Sequence, residues 1–408
     1  MRVAMADRRD VLILGGGLVG MTLALTLAKR GFSSHVVDRA DPADLTAEGF
    51  DGRASAISTA SWNLFRNIGL APALEPVACP ISSIAVTDRL RPGNINFTPG
   101  EGEGTLGRMF ANRTLRQTLF DAAREEPLIA WHAKSKVAER TRNAFGVSAK
   151  LSSGEELSAS LMVAAEGRGS PTREDAGISI AKWDYSHRAI IAGISHEKPH
   201  DNVAWEIFYP AGPFALLPML DSDDGTHRSA LVWTVAEDDA AGTLKLSDRA
   251  FLAELDKRMG GLFGAITAVG PRSSFPLGFH HTARITGERL ALVGDAAHGI
   301  HPIAGQGLNL GLRDVGTLVE VLDEGARLGL EPGDAQLLAR YERWRGLDSF
   351  MVALATDGLT RLFGVPGDTA SAIRRFGMAG VERIPPLKRW FMDEARGMSG
   401  ELPELLRA

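Results

Sequence analysis

Two stretches of the chain carry residues whose types and spacing could do chemistry. In LALVGDAAHGIHPIAGQGLNLGLRDV (290–315), Asp295, His298, His301 and Pro302 stand among five glycines between an apolar run and a helical pattern. In VLILGGGLVG near the N-terminus, Gly15, Gly17 and Gly20 have G-x-G-x-x-G spacing. On a continuous helix Asp295, His298 and His301 would share a face and could hold a metal. Gly299, Pro302 and Gly305 interrupt that helix, and no second ligand cluster accompanies it, so we read no metal site. A serine hydrolase is set aside because G-x-S-x-G is absent.

The N-terminal run from Val11 to Ala28 has 18 residues without a charge, preceded by Arg8 and Arg9, and superficially fits a signal peptide or membrane span. Its four glycines, and Lys29-Arg30 where a cleavage site should lie, argue against both. VLIL reads instead as a buried parallel strand, LVGMTLALTLAK as a buried helix ending at Gly31, and SHVVD as a second strand ending at Asp38. In such a unit the first glycine makes the tight turn, the second admits a pyrophosphate, and the third packs the helix on the strand. The N–H groups at the helix start, with Leu18 and Val19 behind Gly17, favour a phosphate. Asp38, 23 residues after Gly15 and followed by Arg39, is placed to accept ribose hydroxyls.

The second stretch identifies which dinucleotide. RLALVGD is a strand ending at Asp295, and GQGLNLGLRDVGTLVEVL is a helix with a glycine-rich start. Two anion-receptive helix starts about 290 residues apart suit a long cofactor better than a nicotinamide coenzyme, and FAD has that length. Its pyrophosphate would sit over Gly15 to Gly20, a ribityl hydroxyl near Asp295, and the flavin ring over Gly305, Gln306, Gly307, Leu308 and Asn309.

The elements that must position these residues belong to a chain of ordinary composition. It has 408 residues, 44% hydrophobic and 23% charged, with a net charge of −5 that leaves no electrostatic footprint for nucleic acid. Its one cysteine, Cys79, cannot form an intramolecular disulfide and is compatible with a reducing cytoplasm, most simply as a small buried side chain.

GGGLVG, LMVAAEGRGSPTRE and RLALVGDAAHGIHPIAGQGLNLGLRD together resemble the three fingerprints of flavin-dependent aromatic hydroxylases of the p-hydroxybenzoate hydroxylase fold. HPIAGQGLNLGLRD, WEIFYPAGPFALLPM and the tail IPPLKRWFMDEARGMSGELPEL are most similar to the ubiquinone-biosynthesis hydroxylases within it. The resemblance runs over essentially the whole chain. It implies FAD, with Gly15, Gly17, Gly20 and Asp38 at the adenosine half, Arg53 and Arg113 approaching the cofactor, Asp295 at the ribityl chain, and Pro302 with Gly305–Asn309 along the ring. One departure is Glu166-Gly167, where the family commonly has Asp-Gly, so no ligand role is carried over to Glu166.

The implied fold class is α/β. A Rossmann-like FAD-binding domain from residues 1–75, 100–180 and 285–330 is interleaved with an antiparallel β-sheet substrate domain from 76–99 and 181–284. A helical C-terminal region, 331–408, is expected to break at Pro366 and Pro385-Pro386. The implied reaction is hydroxylation of a polyprenylated phenol of ubiquinone biosynthesis through a C4a-hydroperoxyflavin. Dioxygen is the co-substrate, and electrons come from NAD(P)H or from a redox partner.

Trp205, Phe208, Phe214 and Trp233 on the roof strands are candidates for the substrate pocket, with ordinary core packing as the alternative. His301 is the candidate base, although a histidine in a glycine loop more often orients than reacts. A prenyl reductase of the same fold and a non-catalytic flavin-binding subunit of a quinone-biosynthesis assembly remain alternatives. A halogenase of the same fold is set aside, because WEIFYP has only one of the two tryptophans of the W-x-W-x-I-P signature.

Residues 371–396 carry six basic and three acidic side chains interleaved with Phe376, Trp390 and Phe391. This suits peripheral contact with the inner face of an anionic membrane from a cytoplasmic location, or else a packed helix with solvated charges.

Overall fold

The computed structural model describes residues 8–47, 52–90, 95–299, 305–346 and 381–408. His301, Pro302 and Pro366, together with 371–380 of the basic segment, lie outside them.

A mainly parallel sheet is assembled from three distant parts of the chain. Its order is Thr286–Gly287, Leu290–Leu292, Glu156–Ala164, Arg8–Leu14, Ser34–Val37, Ile129–His132. Arg8–Leu14 runs parallel to both its neighbours, and Leu290–Leu292 parallel to Glu156–Ala164. Being covered on both faces, these strands read as continuous apolar runs, and Val11, Leu12, Ile13, Leu161, Met162 and Val163 have no exposed surface. The antiparallel pair Val137–Asn143 and Gly146–Leu151 leads into Glu156–Ala164.

The second large sheet is a roof built on Ile180–His196, Val203–Tyr209, Gly212–Met219, His227–Ala236 and Ser273–Thr282. Antiparallel pairing dominates it, as the alternating sequence predicts, but Ser83–Asp88 joins Val203–Tyr209 in parallel and carries Ile95–Phe97 on its far edge. The helix Asp248–Met259, capped by Ser247 accepting from the Ala250 N–H at 3.3 Å, covers the outer face of the roof. A three-stranded sheet, Ala54–Ser58, Gly107–Ala111 and Cys79–Ile81, lies between the roof's inner face and the parallel-sheet core.

The helix Leu18–Lys29 packs against the long helix Gln306–Arg327 at close range. A Cβ on Gly311 would lie 2.8 Å from a Val19 methyl and 3.1 Å from the Gly294 Cα. Below that contact is a buried ionic hub. Asp314, with no exposed surface, accepts from the Gly294 N–H at 2.8 Å, from His298 Nε2 at 2.8 Å, and from Arg345 Nε at 2.7 Å. Burial by itself would raise the Asp314 carboxyl; the charges and hydrogen bonds of His298 and Arg345 reverse this and hold it below the usual carboxylate value. His298 therefore faces Asp314 and not Asp295.

The C-terminal region departs from a purely helical expectation. The expected break falls at Ile384, where helical residues 381–383 stop, and Pro385 and Pro386 open the next helix, Pro385–Ala395, because proline is tolerated in the first turn, where the N–H has no helical partner. After it the chain turns at Gly397 and Gly400, both at positive φ, and reaches a single turn at Glu404–Leu406, where Leu406 packs so closely on Gly316 that a Cβ there would lie 2.3 Å from its methyl.

Two outcomes follow. Gly311→Ala should separate the helices and cost about 1–3 kcal/mol in a urea melt. Asp314→Asn leaves Arg345 buried without its anion and should cost about 3–5 kcal/mol near neutral pH. Since the Asp314 carboxyl is lowered in the folded state, the wild-type advantage should be full above the ordinary value of 3.8 and disappear as pH falls through the folded value.

Candidate cofactor and substrate site

The turn after the first strand is shaped for backbone approach. Gly15 has φ +106°, and a Cβ there would lie 2.4 Å from the Ala165 carbonyl oxygen; one on Gly20 would lie 1.9 Å from the Gly15 oxygen. Neither position can hold another residue without moving main chain. Gly17, at the helix cap, is the opposite case: no atom lies within 4 Å of where its Cβ would be. Its face is open to a ligand, and the free N–H groups of the Leu18–Lys29 start surround it. The Val19 side chain turns inward against Gly294 and Gly311, so only its main chain can serve a phosphate.

Asp38, at the end of the second strand, already accepts two main-chain hydrogen bonds, from Gly16 at 2.6 Å and Ala40 at 2.7 Å. It holds the glycine turn against the strand end, while Arg39 beside it is exposed. Arg113 donates to the Thr46 carbonyl at 2.9 Å, which directs it toward the 42–47 segment, and the Arg53 guanidinium lies 5.0 Å from the centre of the Phe275 ring.

Asp295 occupies a 3₁₀ turn, Gly294–Ala296, directly after the strand Leu290–Leu292. Its carboxylate is part exposed and 3.5 Å from Arg168 Nε. Its main-chain oxygen accepts from His280 Nε2 at 2.9 Å. Burial pushes the His280 imidazole down to about 4, so it is neutral at physiological pH.

The long helix begins at Gly305, whose φ of +63° is left-handed. Asn309 clamps this start to the intermediate sheet: its Oδ1 accepts from the Ser58 N–H at 3.0 Å, and its Nδ2 donates to Ala56 O at 2.9 Å and Gly305 O at 3.1 Å. Asn309 is thus committed to the protein main chain. Gly307 is again open, with nothing within 4 Å of a built Cβ. Beside this start a small cleft is lined by Ser58, Gln306, Asn309, Arg313 and Glu394. The C-terminal segment forms its wall, since Ala60 donates to Arg396 O at 3.0 Å and Arg313 donates to the Ser399 carbonyl.

The structure corrects the aromatic lining expected from sequence. Phe214 and Trp233, paired across neighbouring strands, point to the outer face of the roof and pack with Phe251 and Leu255 of the covering helix. Trp205 packs on the same outer cluster. Phe208 alone of the four is on the inner face, buried with Ile95. Strand alternation settles this: Trp205 and Phe208 are an odd number of residues apart and must face opposite sides.

Glu166 is occupied structurally, paired with Arg140 at 3.3 Å and accepting from Ser170 Oγ at 2.7 Å and the Thr172 N–H at 3.2 Å. Cys79 is buried, and desolvation pushes its thiol up to about 12, which leaves it unreactive. Sequence reasoning missed Arg168, His280, Asp314 and Arg345. Asp314, in the LGLRD run after the glycines, and Arg168, in LMVAAEGRGSPTRE, lay in stretches already singled out; His280 and Arg345 did not.

The open glycines at the two helix starts, with Asp295 on a turn packed between them, fit a long anionic cofactor with a planar end. Comparison with known proteins agrees. A family model described as an FAD binding domain matches residues 8–347. The chain is 45% identical over 401 residues to ubiquinone hydroxylase UbiL of Rhodospirillum rubrum, covering 98% of this chain and 92% of that one. It is 31% identical over 391 residues to 3-demethoxyubiquinol 3-hydroxylase of Escherichia coli, covering 95% and 98% of the two chains. The crystal structure of p-nitrophenol 4-monooxygenase PnpA from Pseudomonas putida shares the fold, with a TM-score of 0.79 at 17% identity over 98% of this chain and 100% of that one. The chain belongs to the FAD binding domain family and, within it, to the FAD-dependent hydroxylases of ubiquinone biosynthesis.

Proposed function

We propose that this FAD-dependent monooxygenase hydroxylates the ring of a polyprenylated phenol held between the long-helix start and the inner face of the roof. The observation that carries the reading is the pair of helix starts with free space at Gly17 and Gly307. Bound FAD, reduced by NAD(P)H or a redox partner, supplies the activation of dioxygen.

The chain's own residues bind, orient and exclude water. In this reading the N–H groups following Gly15, Gly17 and Gly20 hold the pyrophosphate. Asp38 uses its remaining lone pairs for the adenosine ribose, with Arg39 beside it. Asp295 accepts from a ribityl hydroxyl, and Arg53 and Arg113 flank the cofactor. The main chain of Gly305 to Asn309 donates to the ring edge that gains electron density on reduction. Asn309 serves indirectly, by fixing that main chain to Ala56 and Ser58.

No described helix is long and apolar enough to cross a membrane. A polyprenyl tail is insoluble in water, so the substrate must come from a bilayer or from a protein partner of the same biosynthetic assembly. The helix Pro385–Ala395 buries none of its residues; Ile384, Leu387 and Trp390 are exposed, while Phe391 packs 6.3 Å from Phe97. This supports peripheral contact with the inner face of an anionic membrane through the basic segment.

The protein should purify yellow with one noncovalent FAD; a spectrum without flavin bands after reconstitution would sink the reading. Asp295→Ala should lower FAD affinity ten- to a hundredfold, about 1.5–3 kcal/mol, with the melting curve little changed, because Asp295 is part exposed. His298→Ala should instead lower stability first, through loss of the Asp314 contact; equal affinity loss in both variants, rescued by zinc, would restore a metal site. In liposome flotation, binding should rise with anionic lipid, weaken with salt, and drop in a Lys388→Glu, Arg389→Glu double variant. Absence of binding at every lipid composition would leave delivery by a protein partner.

A further inference from the structure

The inner face of the roof is mainly apolar and carries two carboxyls, Asp88 opposite Phe208 and Glu206 two residues back along the strand. Cross-strand register puts Glu206 beside Ala215 on one side and Val86 on the other, and alternation turns it away from the outer, helix-covered cluster that holds Ile207, Phe214 and Trp233. The same register continues the inner face through Val232, Ile191, Ala189 and Phe275. One step along its own strand, Ala204 packs with Met219 and Ala230 against Met109 and Ala56 of the intermediate sheet. Ala56 is the residue whose carbonyl Asn309 holds at the start of the long helix. Glu206 therefore shares the roof face that meets the intermediate sheet, which Asn309 ties to the Gly305–Asn309 helix start, and an apolar strip lies beside it.

Among the described residues Glu206 has no hydrogen-bonding or ionic partner. Arg53 is over Phe275, Asp88 is beside Phe208, and Cys79, His187 and Arg228 are the other titratable or charged groups toward that face. Each is engaged elsewhere or buried apart: His187 contacts the Tyr185 carbonyl and Arg228 the carbonyls of Leu220 and Asp221. An unpaired carboxyl in such surroundings costs stability and persists in structures where chemistry uses it.

Resting on the aromatic-hydroxylase reading above, we propose that Glu206 is a catalytic residue of this enzyme, the proton acceptor that faces the phenol hydroxyl of the substrate. The O–H bond of the phenol breaks, its proton goes to a Glu206 carboxylate oxygen, and the electron pair stays on the phenol oxygen, enriching the ring carbon to be hydroxylated. Burial pushes the Glu206 carboxyl up to about 8, near the working pH, where a general base is most effective. The basic form fills in as pH rises, so the hydroxylation rate should climb through about pH 8 and then level off.

Two measurements on Glu206→Gln test this. In single-turnover experiments with FAD loaded, flavin reduction should be unchanged, while ring hydroxylation at pH 8 falls about a hundredfold and peroxide appears instead. Product formation in the variant should then keep rising toward the phenol's own ionisation near pH 10. A wild-type rate and pH profile in the variant would overturn the proposal. An enzyme that binds FAD but makes no hydroxylated product in either form would overturn the underlying reading instead.

The second measurement needs no turnover. A carboxyl whose folded value is raised from 4.5 to about 8 contributes stability below 4.5 that is lost as pH rises through 8. Melting temperatures of the two proteins, without phenol, should therefore diverge from pH 5 to pH 9, with the glutamine variant increasingly the more stable. A constant difference would show that the carboxyl is not desolvated, and the proposal fails.

Discussion

The buried carboxylate of Asp314 is the contact on which the geometry of this protein depends. One oxygen takes Arg345 and the other takes both the Gly294 N–H and His298. These partners come from the turn that carries Asp295, the strand-like segment after it, and the helix spanning 335–346, while Asp314 itself sits in the long helix that starts at Gly305. A single desolvated anion thus fixes the orientation of the Asp295 turn relative to the Gly305–Asn309 start. An ion cluster this deep gains little net stability over an apolar equivalent, but breaking it is costly, so it specifies one arrangement.

A second layer of constraints is steric. Gly15 and Gly20 admit no side chain, because main chain already fills the space, whereas Gly17 and Gly307 are bare toward the outside. Close packing on one side of each glycine helix start and free space on the other lets N–H groups reach a cofactor without a side chain intervening. Asn309 extends the same principle: it saturates the main chain of Ala56, Ser58 and Gly305 and so keeps the intermediate sheet in register with the helix start.

The roof divides its labour between faces. Phe214 and Trp233 go outward under the covering helix, where Phe214 has no exposed surface, and the inner face around Glu206 is left mainly to small and branched side chains. A pocket built this way owes its width to alanine and valine beside Glu206, with Phe214 and Trp233 one strand thickness behind.

The local elements were legible in the sequence because their signals are local. The strand–glycine–helix–strand unit around Gly15 to Asp38, the strand end at Asp295, the glycine start of the long helix and the Ser247 cap each follow from periodicity and residue type within a short window. Sequence alone also made Glu166 a doubtful ligand, and the structure places it in a local cap. What needed tertiary structure were facts about which side of an element meets which neighbour. The face of Trp205, Phe214 and Trp233 was undetermined, because both faces of the roof are covered and apolar alternation is equally satisfied by either. The partner of His298 was likewise invisible, since Asp314 is 16 residues away and Arg345 further still. Glu206 drew no reading from the sequence, where it is one acid in the strand-like run WEIFYP. Only the pairing of its strand between two others, with the intermediate sheet in front, makes it a half-buried carboxyl with no partner among the described residues, because burial is a property of the assembled layers and not of the residue's neighbours in the chain.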